Sequence, residues 1–202
     1  MLAYHGDKSI KTKYLQRVKL HAAADELIKG KGWENGKGCA IGCTLEAYDH
    51  SRYPIELGIP EALARLEDVI FEGLPNGKAK AWPAAFLAAI RPGADLSLVQ
   101  WKFLHWLQIE NHKFAIKRKF PAEVVNTIKQ CANALIPFTK GEKFNKSAAW
   151  SVARSAAQSA RSAESAAQSA AWSVAQSAAW SAESAAYVKM SHKLLKLLKA
   201  AK

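Results

Sequence analysis

The first fifty residues concentrate the groups that can do chemistry: His5, Asp7, His21, Asp25, Cys39, Cys43, Asp49 and His50. His21 and Asp25 are four apart, as are Cys39 and Cys43. On helices each pair would share a face, and both could turn toward a common point. Soft and borderline ligands of this kind suit a transition metal, which makes His21, Asp25, Cys39 and Cys43 the candidate metal ligands. The Cys-x3-Cys spacing is not that of a zinc ribbon. A nucleophilic reading uses the same residues. In Gly36-Lys37-Gly38-Cys39 the thiol would open a helix, where free N–H groups and the dipole lower a thiol pKa. His50 or His21 would be its base and Asp49 or Asp25 the group that orients it, so that Cys39, His50 and Asp49 are the candidate catalytic set. The plain alternative is packing. Small buried cysteines and a histidine on an apolar stripe need no chemistry.

These residues must be positioned by helices, because no convincing run of period-two strand residues occurs. A first helix is expected over about 8–29, with Ile10, Tyr14, Val18, His21, Asp25 and Ile28 on one stripe and Gly30 closing it. A Gly-rich loop and a short helix over about 39–48 follow, and Pro54 and Gly58 mark a further loop. Pro60 opens a helix with Leu63, Leu66, Val69 and Ile70 inward, closed by Gly73. Leu74-Pro75-Asn76-Gly77 reads as a turn before a helix over about 78–90, bent or restarted at Pro83. Asp95 is expected to cap a helix reaching about Ile109. Pro121 starts another, ended by Pro137 and Gly141. The fold class is all-α: a compact helical head over 1–146 and a long Ser/Ala helix over 147–202.

That long helix is written in eleven serines from Ser147 to Ser184, spaced 4, 4, 4, 3, 3, 4, 4, 4, 4 and 3. The spacing follows the ~3.6-residue turn of an α-helix. Ala or Val follows each serine, and one line of larger residues runs beside them. Neither Gly nor Pro occurs after Gly141. One continuous helix from Ser147 to about Lys199 is expected, too long to stay within the head unless it bends or finds a partner. Small side chains allow close approach of a second helix. Trp150, Trp172 and Trp180 are the candidate partner-binding residues, used in self-association, on another protein, or on the chain's own head. At the end, Leu194, Leu195 and Leu198 lie opposite Lys189, Lys193 and Lys196. Such a basic amphipathic helix binds anionic surfaces or, more simply, packs on the body.

The chain carries a net charge of +12, very unevenly. Residues 1–110 hold 14 Lys/Arg against 13 Asp/Glu, whereas residues 111–202 hold 15 against 4. An anionic partner, such as nucleic acid, is implied for the second half. Lys117-Arg118-Lys119, beside Phe114 and Phe120, is the candidate nucleic-acid contact, since cations next to aromatics suit phosphate contact with base stacking. A solvated basic loop is the simpler reading. No stretch approaches the ~18 apolar residues of a membrane span, and Met1 to Ile10 lack the apolar core of a secretory signal. Three cysteines without a disulfide-scaffold pattern fit reduced thiols in a cytoplasm.

The stretch Lys37-Gly38-Cys39-Ala40-Ile41-Gly42-Cys43-Thr44-Leu45 is followed by Tyr48-Asp49-His50, Leu57-Gly58-Ile59-Pro60-Glu61, Ala64-Arg65-Leu66-Glu67-Asp68 and Phe71-Glu72-Gly73-Leu74-Pro75. With the opening Ala3-Tyr4-His5-Gly6-Asp7, it resembles a family of bacterial and phage-borne proteins of unknown function. Many of these carry Ser/Ala-rich repeats ending in a Lys/Leu-rich tail. The resemblance implies a bacterial or phage origin and a cytoplasmic setting, and assigns no catalytic residue. Three functions remain open: a binding or assembly module using the Ser/Ala helix, a small Cys/His enzyme or metal protein centred on Cys39, Cys43 and His50, and a nucleic-acid-binding protein. The balance favours a binding role over an enzyme, and no cofactor is expected.

Overall fold

A computed structural model describes residues 2–142 and the backbone of 175–202, with side chains from 184. Helices dominate. In chain order they are α1 (Lys8–Ala23), α2 (Ala40–Leu45), α3 (Arg52–Leu57), α4 (Glu61–Gly73), α5 (Asn76–Ala89), α6 (Val99–Lys117), α7 (Ala122–Ala134), α8 (Ile136–Thr139) and α9 (Ala175–Ala200). A 3-10 turn over Ala3–Gly6 precedes them, and Trp33–Glu34 (β1) pairs antiparallel with Lys37–Gly38 (β2). The all-α expectation holds. The chain forms two compact units, one of residues 1–99 and 181–202, the other of residues 100–180.

In the first unit α1 packs on α5 and α2, and α4 on α5, α2 and α3. Asp7 caps α1, accepting from the Ser9 N–H at 2.6 Å. The helix stops at Ala23, six residues short of the expected end, because Asp25 enters the left-handed region at φ 57°. The Asp25 N–H reaches the Ala22 carbonyl and the Glu26 N–H the His21 carbonyl. This is the Schellman ending, with an aspartate where glycine is usual. Glu26 is thereby folded back beside His21.

Asn35 and Gly36 both have positive φ and close a two-residue hairpin between β1 and β2. Such a turn matches the twist of its strands, and Asn-Gly is its strongest short-range sequence signal. The Lys31–Gly32 segment then wraps over the start of α2, where the Cys39 N–H donates to both carbonyls at 2.7 and 3.1 Å. A Cβ on Gly38 or Gly42 would collide with the Gly32 carbonyl oxygen. Two expected boundaries shift. Pro54 sits in the first turn of α3, where its missing N–H costs nothing, so that segment is a helix and not a loop. Asn76 already belongs to α5, which runs through Pro83.

α4 carries the largest departure. Its buried face is Leu63, Ala64, Glu67, Asp68, Ile70 and Phe71. Val69, expected inward, is 50 % exposed. The helix is rotated so that two acids enter the head.

The end of α9 belongs to this unit, with Leu194 and Leu198 fully buried. The Asp95 N–H donates to the Lys202 carbonyl at 2.7 Å, and Arg91 to that of Ala201 at 2.9 Å. The Tyr187 ring lies against the bare Cα of Gly73, where a Cβ would overlap it. Packing on the body is thus the role of the C-terminal leucines. The rest of the proposed continuous helix, over 147–174, lies outside the described residues.

In the second unit Trp101 packs on Phe138 and Phe103 on Trp106, with ring centroids 5.1 and 5.7 Å apart. α6 extends well past Ile109 to Lys117.

Gly73→Ala should lower stability by about 1–3 kcal/mol, the usual cost of forcing extra volume into a packed contact. Adding Tyr187→Ala should recover part of that loss in a thermal melt. Unchanged melting of the single variant would show that the α9 contact is absent in solution.

Candidate functional site

Glu67 and Asp68 organise the polar interior of the head. The Tyr53 hydroxyl, fully buried, donates to Glu67 Oε2 at 2.8 Å, and the Trp82 indole N–H donates to the Glu67 carbonyl at 2.9 Å. Glu67 Oε1 is buried without a partner among the described residues. Burial, and then the charge of Asp68, push the Glu67 carboxyl well above the usual carboxylate range, against the pull of the Tyr53 bond. Glu67 is thus held as the neutral acid in a site that water does not reach.

Asp68 looks outward along the same network. Its Oδ2 accepts from the Tyr48 hydroxyl and from His50 Nε2, each at 3.1 Å, while Oδ1 is buried and unpartnered among the described residues. The Tyr48 and His50 rings meet edge to face at 5.1 Å. Burial and the Asp68 charge push the Tyr48 phenol up to about 12. The partner of His50 is therefore Asp68. Asp49, the expected orienter, instead turns away and accepts from the Ser51 N–H and hydroxyl at 2.9 and 2.6 Å.

Cys39 stands at the N-cap of α2, as expected, but its side chain makes no capping bond and is 1 % exposed. Burial drives its thiol pKa up. The Gly42 and Ile41 N–H groups oppose that rise, and the neighbouring Asp68 adds to it. The environment therefore works against the thiolate expected of a helix-start cysteine. Cys43 donates to the Gly38 and Glu26 carbonyls at 3.4 and 3.6 Å, and burial pushes its thiol up to about 12. Both cysteines hold the hairpin and α2 together as small core residues.

His21 and Asp25 do not meet. The Schellman ending of α1 sends Asp25 to an ion pair with Lys80, while His21 Nδ1 lies 2.6 Å from Glu26 Oε2 and its ring meets Trp33 edge to face. His21, Asp25, Cys39 and Cys43 thus do not gather around one point: Asp25 pairs with Lys80, while His21 meets the Glu26 carboxylate and Cys43 the Glu26 and Gly38 carbonyls. Among the described residues no three His, Cys, Asp or Glu side chains converge as a metal site. The acids of α4 escaped notice because they sit on an apolar stripe. The donors that meet their carboxyls, Tyr53 for Glu67 and Tyr48 and His50 for Asp68, are distant in sequence.

The basic triplet has a definite geometry. Lys119 enters the left-handed region at φ 55° just after α6. Its N–H bonds the Ile116 carbonyl at 3.0 Å, and the Phe120 N–H bonds that of Ala115 at 3.0 Å. This second Schellman ending brings Phe120 back onto Phe114, with centroids 6.0 Å apart at 81°. The Arg118 guanidinium lies 5.4 Å over the Phe114 ring. Phe114, Ile116 and Phe120 are 51, 55 and 41 % exposed, far more than packing residues of their size normally are. Of the partner-binding tryptophans, Trp150 and Trp172 lie outside the described residues, as does the side chain of Trp180.

The buried acid and the buried thiols each have a measurable consequence. Because the folded pKa of Glu67 is raised, its stabilising proton is fully kept below the unfolded carboxylate pKa. Its contribution is lost progressively as pH rises above that value. Glu67→Gln should therefore raise stability at pH 7 by about 1–3 kcal/mol and flatten the pH profile between about 5 and 7. A variant less stable at both pH values in urea titrations would place an ionised carboxylate there. For the thiols, iodoacetamide at pH 8 should label Cys131, which is partly exposed, before Cys39 and Cys43. The latter two should react only after unfolding. Rapid native labelling of Cys39 that is lost in His50→Ala would establish a reactive centre.

No family model matches the chain, and neither the curated proteins nor the solved structures contain a significant match to it.

Proposed function

We propose that this chain is a helical binding module whose partner is a single-stranded nucleic acid, contacted at the turn between α6 and α7. The observation that carries the proposal is the exposed cluster in which Arg118 lies over Phe114 and Phe120 meets Phe114 edge to face, with Lys117 and Lys119 flanking Arg118 in sequence. Cations reach phosphates, while an exposed aromatic pair and a guanidinium plane give bases something to stack on. Paired bases do not offer their faces in this way, which favours single strands over duplex. The excess of 15 Lys/Arg over 4 Asp/Glu across residues 111–202 supplies attraction at longer range. A bacterial or phage origin and a cytoplasmic setting, which the motif resemblance implies, belong to this proposal.

The Ser/Ala helix enters the same reading as an assembly surface, through self-association or a protein partner. It rests on the periodicity of the serines and on the helical backbone of α9, which carries that repeat from Ala175 onward.

A substitution at Lys119 separates structure from binding. Glycine adopts the left-handed conformation without the steric cost that lysine bears. Lys119→Gly should therefore stabilise the protein by about 0.5–1 kcal/mol while removing one phosphate contact. In fluorescence anisotropy with a labelled oligothymidylate, affinity should fall linearly with the logarithm of salt concentration. The slope should drop by about one in Lys119→Gly. Phe114→Ala should cost about 1–3 kcal/mol of binding. No binding at low salt, or equal binding by Arg118→Ala, would remove the proposal.

A further inference from the structure

A cleft of about 550 Å³ opens on the other unit, between the end of α1, the β2 strand and the start of α5. Its floor is apolar, built from Leu27, Ile28, Phe71 and Ala79. Its rim carries Lys29, Lys37 and Lys80 against one acid, Asp25. The lysines come from three separate parts of the chain. Lys29 donates to the Leu74 carbonyl, Lys80 pairs with Asp25, and Lys37 is exposed on the hairpin. Glu72, which accepts from the Gly30 N–H, stands near Lys29 but is not part of the lining.

The charge arrangement on α5 is unfavourable as it stands. Asn76, its first residue, lines the cleft. Pro75 offers no side-chain cap, the first turn holds no acid, and Lys78 and Lys80 follow close behind. The positive end of a helix repels cations and attracts anions. Lys80 at that end, with Lys29 and Lys37 from other elements on the same rim, makes the cleft attractive to an anion.

We propose that this cleft binds a phosphomonoester carried on a small, mainly apolar or planar organic body. The phosphate would lie on the rim between Lys37 and Lys80, exchanging with Asp25 for the Lys80 ammonium. The organic body would cover Leu27, Ile28 and Phe71. An inorganic anion satisfies only the rim, and an uncharged compound only the floor. A nucleoside monophosphate satisfies both and is the natural probe.

The test uses the full chain in calorimetric titrations with AMP, inorganic phosphate and adenosine. AMP is expected to bind saturably and at least about tenfold more tightly than either of the others. Lys37→Gln lies on an exposed strand and leaves the fold intact. It should weaken AMP several-fold, and Lys37→Gln/Lys80→Gln more than tenfold. Lys37→Gln/Lys80→Gln should bind the labelled oligothymidylate as the parent does, which keeps this site apart from the nucleic-acid turn. No saturable AMP binding up to about 10 mM, equal affinity for phosphate and AMP, or loss of AMP in Arg118→Ala but not in the lysine variants would overturn the proposal.

Discussion

The hydrogen bond from Tyr53 to Glu67 is the constraint on which the head is built. A carboxyl that is fully buried has to be neutral or matched by a charge, and no lysine or arginine pairs with Glu67 among the described residues. The chain keeps it neutral and supplies a phenol. That choice fixes the rotation of α4, which turns Val69 to solvent and brings Asp68 to the edge of the core. Asp68 then gathers Tyr48 and His50 from the α2–α3 connection. It also raises the proton affinity of the Cys39 thiol. One rotated helix thus decides the surroundings of the residues that looked reactive.

Both α1 and α6 end on a charged residue in the left-handed region, Asp25 in one case and Lys119 in the other. Glycine would be the cheaper choice at each. The two endings turn the chain back so that a side chain just beyond meets one in the last turns of its helix: Glu26 meets His21, and Phe120 meets Phe114. In each case the strained residue also presents its own charge at a cationic surface, Asp25 at the lysine-rimmed cleft and Lys119 at the basic turn. Strain held at such positions is a common companion of function.

The all-α class was legible in the residues, because the period of apolar positions and the breakers Gly58, Pro60 and Pro121 are local signals, whereas the short helices α3 and α8 were not. The leucines of α9 were legible for the same reason. Glu67 and Asp68 were not, since a periodicity argument assigns acids outward and has no access to a tyrosine fourteen residues away. The early end of α1 was hidden because an aspartate performs a turn that is expected of glycine. The hairpin was announced by Asn35-Gly36, which a search for longer strands passes over. Of the candidate site residues, Cys39 and His50 do come to one network, joined through Asp68. Asp49 stays outside it because its carboxylate is taken by the adjacent Ser51.

Gly38 and Gly42 face an obstacle of a different kind from that at Gly73. What a side chain would strike at Gly73 is the ring of Tyr187, and a ring can be traded for something smaller. At Gly38 and Gly42 the wall is the carbonyl of Gly32, a piece of main chain that every amino acid carries. No exchange elsewhere can clear it. Drift in the surrounding helices can be repaired one neighbour at a time, while this segment admits no repair. The run from Gly32 to Cys43 is therefore where sequences built on this head have the least freedom to diverge, and where distant copies would still be recognisable to one another.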